Sequence, residues 1–133
     1  MDFSPFSFIY SMKLLEYTFQ DACPPRAFST PRKGGVGEGA YASFNITHYC
    51  GDSAENVSAN RRILCAELGI TDERLVLPRQ THSDNIAIVT LETPSEALEG
   101  VDAVITHEEG LCIGASTADC IPLLYFDAQH RVV

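Results

Sequence analysis

Leu111-Cys-Ile-Gly-Ala-Ser-Thr-Ala-Asp-Cys-Ile-Pro-Leu-Leu-Tyr-Phe-Asp127 sets two apolar runs, 111–115 and 121–126, around a small polar cluster at 116–120. Short apolar runs bounded by Gly and polar residues read as buried strands, although periodicity alone does not separate them from a buried helix. Pro122 has no N–H and suits the first residue of a strand or an edge better than a central ladder. The pattern therefore places Cys120 where one strand gives way to the next. Such junctions, carried by rigid elements, are where binding and catalytic groups tend to sit.

The chain around this stretch has 133 residues, enough for one domain with a real core. Nine basic against eighteen acidic side chains give a formal net charge of −9. That balance opposes nucleic acid or an anionic membrane as a general partner, since both require a basic face. It leaves room for one small anion held by a few local cations. The five cysteines (Cys23, Cys50, Cys65, Cys112, Cys120) are odd in number and contain no C-x-x-C, so no disulfide framework is indicated and a reducing cytoplasm is expected. No apolar run approaches the ~20 residues a membrane helix needs. Residues 1–12 are aromatic-rich without a basic start or a small-residue cleavage site. They read as a disordered or non-native leader, with Met12 as the natural start and residues 13–133 as the domain portion.

In chain order, Leu14 to Phe19 alternates like a strand, and Pro24-Pro25 breaks it. Ser29 to Gly39 is a Gly-rich loop with Arg32 and Lys33 at its entrance, where exposed N–H groups and two cations suit an anion. Tyr41 to Tyr49 reads as a strand containing Asn45. Asp52 or Ser53 caps a helix whose apolar face is Val57, Ile63, Leu64 and Leu68 and whose stop is Gly69. Arg61 is expected to reach back to a carboxylate such as Asp52. Strands are expected at 75–77, 86–89 and 101–106, with a short turn or helical piece at 94–98. The chain closes on Arg131-Val-Val133, where a further strand begins.

Four histidines compete for a chemical role. His107 and His130 lie in polar turns, and His48 reads as a structural residue in a strand. His82 stands in Gln80-Thr-His-Ser-Asp84, a polar island between two apolar strands like the one around Cys120. A thiolate beside an imidazole is a nucleophile–base pair. The same two groups are zinc ligands, but a catalytic zinc takes three protein ligands and an open position. Asp119 is the nearest third candidate, yet neighbours in an extended strand face opposite ways. Both chemistries stay open on the residues alone.

The ordered set of motifs resembles the YfiH / laccase-domain family, the purine nucleoside phosphorylase-type proteins once called polyphenol oxidases. The matching pieces are Arg32-Lys-Gly-Gly-Val36, Tyr41-Ala-Ser-Phe-Asn45, Gly51-Asp52, Glu55 to Arg62, Leu68-Gly69, Gln80-Thr-His82, Val101 to Thr106 and Thr117 to Pro122. The resemblance implies an α+β fold of mixed β-sheets covered by helices, related to a toxin-type Cys–His hydrolase fold and here truncated at its C-terminus. It implies a metal, zinc rather than copper, held by His82, Cys120 and a later His beyond Val133. Where the family has Gly after the first His, this chain has Ser83. The implied activities are phosphorolysis of adenosine, inosine, guanosine or methylthioadenosine and deamination of adenosine. Purine nucleosides and phosphate are then the partners, and Arg32, Lys33, Asn45 and Gln80 the candidate contacts. The 133-residue chain alone is expected to bind metal weakly. The alternatives are a Cys–His hydrolase, a cell-wall-precursor editing factor, or an inactive fragment.

Overall fold

The computed structural model describes residues 12–133; the leader expected over 1–12 lies outside the described residues except for Met12. Among the described residues, three two-stranded sheets and one α-helix form the architecture. β1 (Leu15–Tyr17) and β2 (Ala27–Ser29) pair antiparallel. Tyr17 and Ser29 hydroxyls meet at 2.9 Å across the pair, and Arg26 reaches Glu16 at 2.6 Å.

Helix α1 (Ala54–Leu68) starts where Ser53, in extended backbone, accepts the Asn56 N–H, and it ends at Gly69 in the left-handed region (φ 68°). Its inner face is Val57, Leu64 and Cys65, as an apolar stripe demands. Met12, Leu14, Phe44, Leu64, Cys65 and Leu75 form the core, with Phe28, Ile46 and Cys112 packed against it. Burial pushes the Cys112 thiol up to about 11.

Two polar residues share that inner face. Arg61 is 7% exposed and donates to Asp72 Oδ1 (2.7 Å) and to the Leu75 carbonyl (2.9 Å). The expected carboxylate partner, Asp52, is instead bonded by Asn45. Asp72 begins the short turn that leads from α1 into the next strand, so Arg61 ties helix to strand. Asn60 is fully buried and saturated. Its amide donates to the carbonyls of Ser43 (3.0 Å) and Asn45 (2.8 Å), and its oxygen accepts the Val36 N–H (2.9 Å).

β3 (Leu75–Val76) pairs parallel with β6 (Cys112–Ile113), and β4 (Ile86–Ile88) pairs parallel with β5 (Ala103–Ile105). Short helical turns at 72–74 and 95–98 fill the connections. Beyond β5, Thr106 and Val133 exchange two backbone hydrogen bonds, but the strand expected to begin at residue 131 does not form: Arg131 lies in a turn (φ 54°) and Val132 makes only an isolated bridge to Asp127. Mixed small sheets with a helix match the α+β expectation.

Two further expected strands are absent from the described residues. Over 41–49 the backbone is irregular after a helical turn at Gly39–Tyr41. Its polar groups are taken instead by Asn60 and by the Arg32 carbonyl, which accepts the Ser43 and Phe44 N–H groups. Residues 121–126 are irregular too, and Ile121, Leu123 and Tyr125 are 84%, 70% and 74% exposed. No neighbouring strand among the described residues offers that run a ladder.

Candidate functional site

Parallel pairing of β3 with β6 sends both strands out at the same end of the sheet. The register sets Leu75 beside Cys112 and Val76 beside Ile113. Beyond that ladder, Arg79 forms an isolated parallel bridge with Glu99. A side-chain clamp shows that the two exits do stay together. Gln80 accepts the Ser116 N–H (2.7 Å) and donates to the Ser116 carbonyl (3.2 Å), mimicking one more rung of ladder. The Ser116 hydroxyl also meets that of Thr47 at 2.9 Å, joining the 45–50 loop to the same point.

Around this junction lies a cleft of about 340 Å³. Tyr49 and His48 stand on one wall, Arg79 and Leu77 on another, and Leu98 and Glu99 on a third. The Arg79 guanidinium sits 5.9 Å from the Tyr49 ring centroid and pairs with Glu99 at 3.3 Å. Asn45 builds the Tyr49 wall: its amide donates to Asp52 Oδ2 at 3.0 Å and its oxygen accepts the Thr47 N–H at 3.0 Å. Asn45 and Gln80 thus spend their amides on shaping the cleft.

The Gly-rich loop behaves differently from a phosphate cradle. The Gly34 and Gly35 N–H groups donate to Ser43 Oγ, Val36 to Asn60, and Gly37 to the Ser43 carbonyl. These donors face the protein, which corrects the expectation that they bind an anion. Gly35 is needed for another reason: a Cβ there would lie 2.4 Å from both Asn60 Oδ1 and the Ser43 carbonyl. Arg32 and Lys33 remain exposed as side chains, with Arg32 Nε on the Ala42 carbonyl at 3.3 Å.

His82 and Cys120 are both exposed, and among the described residues neither side chain is hydrogen-bonded. The His82 backbone is left-handed (φ 58°), uncommon for a non-glycine residue. Asp102 accounts for it. One oxygen accepts the His82 N–H (2.9 Å), and the other accepts those of Thr81 (3.1 Å) and Ser83 (3.0 Å). The Ser83 hydroxyl contacts the same carboxylate at 2.7 Å and the Gly100 carbonyl at 3.0 Å. Its single proton favours the shorter, charge-assisted contact. The Ser83 hydroxyl first, and the backbone N–H groups with it, hold the Asp102 carboxyl down to about 2.

Sequence reasoning missed Asp102 and Arg79. Each looks like an ordinary residue at the margin of a strand, and only the fold shows what it meets. An imidazole nitrogen and a thiolate sulfur suit zinc in kind. Among the described residues, no three His, Cys, Asp or Glu side chains gather into a group that could hold a metal ion. Likewise, no helix among them is long and apolar enough to cross a membrane.

Residues 26–133 match the family described as multi-copper polyphenol oxidoreductase laccase. A purine nucleoside phosphorylase from Bacteroides thetaiotaomicron is 43% identical over 113 residues, covering 80% of this chain and 42% of that protein. Adenosine deaminase RL5, from an unknown prokaryotic organism, is 40% identical over 114 residues, covering 80% and 44%. Among solved structures, YlmD from Geobacillus stearothermophilus aligns with a TM-score of 0.72 at 33% identity, covering 80% of this chain and 42% of that one. A Bacillus licheniformis hypothetical protein, YfiH, gives a TM-score of 0.76 at 25% identity, covering 80% and 43%. The chain therefore spans less than half the length of these relatives.

Proposed function

The chain belongs to the family described as multi-copper polyphenol oxidoreductase laccase, and from that membership we propose that it forms part of a cytoplasmic, zinc-dependent purine nucleoside phosphorylase with adenosine deaminase activity. The names borne by two relatives support the reaction class. The observation that supports the site is the Gln80–Ser116 clamp at the shared end of β3 and β6, because it ties the segment that enters the His82 loop to the segment that leads to Cys120. Ligand crevices of this kind, at the carboxyl ends of parallel strands, recur in α/β sheets.

In this reading His82 and Cys120 supply two ligands to a zinc ion, and a histidine from a segment outside residues 12–133 supplies the third. Bound there, zinc would polarise phosphate or water and stabilise developing negative charge. The cleft beside it receives the nucleoside. Tyr49 offers a face for the base, and Arg79 offers a cation for phosphate that Arg32 and Lys33 supplement at longer range. Asn45 and Gln80 act through the walls they hold. Four histidines without a His-x-His pair fit multicopper oxidation poorly, whatever the family's description.

Cys120→Ala or His82→Ala in the full-length gene product is expected to abolish zinc uptake and nucleoside phosphorolysis together. Phosphorolysis that survives Cys120→Ala overturns the assignment. A chelator separates the hydrolase reading, in which Cys120 is the nucleophile and His82 its base: that activity would resist chelation and yield to a thiol alkylator.

A further inference from the structure

The loop carrying His82 is folded around one carboxylate that the proposed chemistry does not use. Asp102, at the entrance to β5, gathers three consecutive backbone N–H groups and one hydroxyl from residues 81–83. Successive N–H groups converging on one anion form a nest, and such a nest needs a left-handed residue within it. That residue is His82 itself. The loop is further joined to the base of β5, because the Asn85 carbonyl accepts the Asp102 N–H (3.0 Å) and the Asn85 amide donates to the Gly100 carbonyl (2.9 Å). The His82 backbone thus has a left-handed conformation, uncommon among non-glycine residues, that a partner 20 residues away holds by hydrogen bond.

We propose that Asp102 is the positioning residue for His82: by fixing the left-handed turn at that residue, its carboxylate sets the direction in which the imidazole is presented to the metal. This inference rests on the zinc reading above. Asp102 makes no hydrogen bond or ion pair to the imidazole; it acts on the main chain from which the side chain springs. Outer residues that orient a ligand are typically worth ~10–100-fold in metal affinity. A neutral amide at the same position keeps one accepting oxygen but turns an N–H pair toward donors that need an acceptor. Asp102→Asn therefore releases part of the nest with little change in volume.

The test uses the full-length protein, with zinc affinity measured by chelator competition and amide exchange followed over 81–83 and over α1. Asp102→Asn is expected to weaken zinc binding about tenfold and Asp102→Ala by up to about a hundredfold. Exchange at 81–83 should accelerate in both while α1 stays protected, which separates loop release from general unfolding. Should Asp102→Ala fail to fold, Asp102→Asn decides alone. Unchanged zinc affinity in the folded variants overturns the positioning role while leaving the zinc site standing. A wild-type protein that takes up no zinc, or a His82→Ala variant that takes it up normally, overturns both readings.

Discussion

The two halves of the candidate site are built to different standards. On the His82 side, four donors from three residues close on Asp102, and Gln80 fastens the loop's entrance. On the Cys120 side, the last hydrogen-bonded anchor before Cys120 is Ser116. Residues 117–126 carry no regular structure, and their apolar side chains Ile121, Leu123 and Tyr125 are more exposed than buried. The lesson is that a polar loop can be made rigid by its own hydrogen-bond geometry, whereas an apolar run needs a surface to pack upon.

The largest test of that contrast lies in the well-held regions. Asn60→Ala would strip partners from Val36, Ser43 and Asn45 at a fully buried position. We expect a loss of about 3 kcal/mol, read from the urea midpoint. A loss below ~1 kcal/mol would mean that water replaces the amide and that the loop is less tightly held than its geometry suggests. Gln80→Ala comes next. It frees both backbone groups of a half-buried Ser116 and should cost about 1–2 kcal/mol. Amide exchange at 116–120 should quicken with it, and no change there would break the claim that Gln80 joins the two halves.

Ile121→Ser and Leu123→Ser should be nearly silent in this chain, within ~0.5 kcal/mol, since both side chains are exposed. A loss as large as that of Asn60→Ala would show the stretch covered in solution. The smallest effect is electrostatic. The His130 ring, and behind it the backbone N–H groups of His130 and Gln129, hold the Asp127 carboxyl below its usual value. A lowered folded pKa stabilises this turn at pH above the unfolded value of ~3.9, and that stabilisation is lost as pH falls through the folded value. Amide shifts of Gln129 and His130 should follow one such acidic step, and Asp127→Asn should remove that step.

Legibility in the sequence followed the range of the forces involved. Helix α1 could be read to within a residue, because Ser53, the apolar spacing and Gly69 act within a few positions of themselves. Strands at 75–76, 86–88, 103–105 and 112–113 also stood out as short apolar runs. The segment 41–49 looked like a strand because its alternation is real, yet Asn60 took over the partners a ladder would have supplied. Nothing near Arg61 distinguishes Asp72 from Asp52; only the turn after α1 decides. His82 and Cys120 were visible as polar islands, whereas Asp102 was hidden by acting across 20 residues of chain.

The parallel β3–β6 pair has a consequence for how this scaffold varies. The chain between those strands must leave and return, and the stretch 90–98 lies on that excursion, with Leu91 exposed and a short turn at Ser95–Leu98. Closing a loop twice as long costs only ~0.6 kcal/mol more. Insertions there would leave the strand pair standing while recontouring the cleft wall at Ser95, Leu98 and Glu99. Ligand preference can drift at that rim without disturbing the frame that carries it.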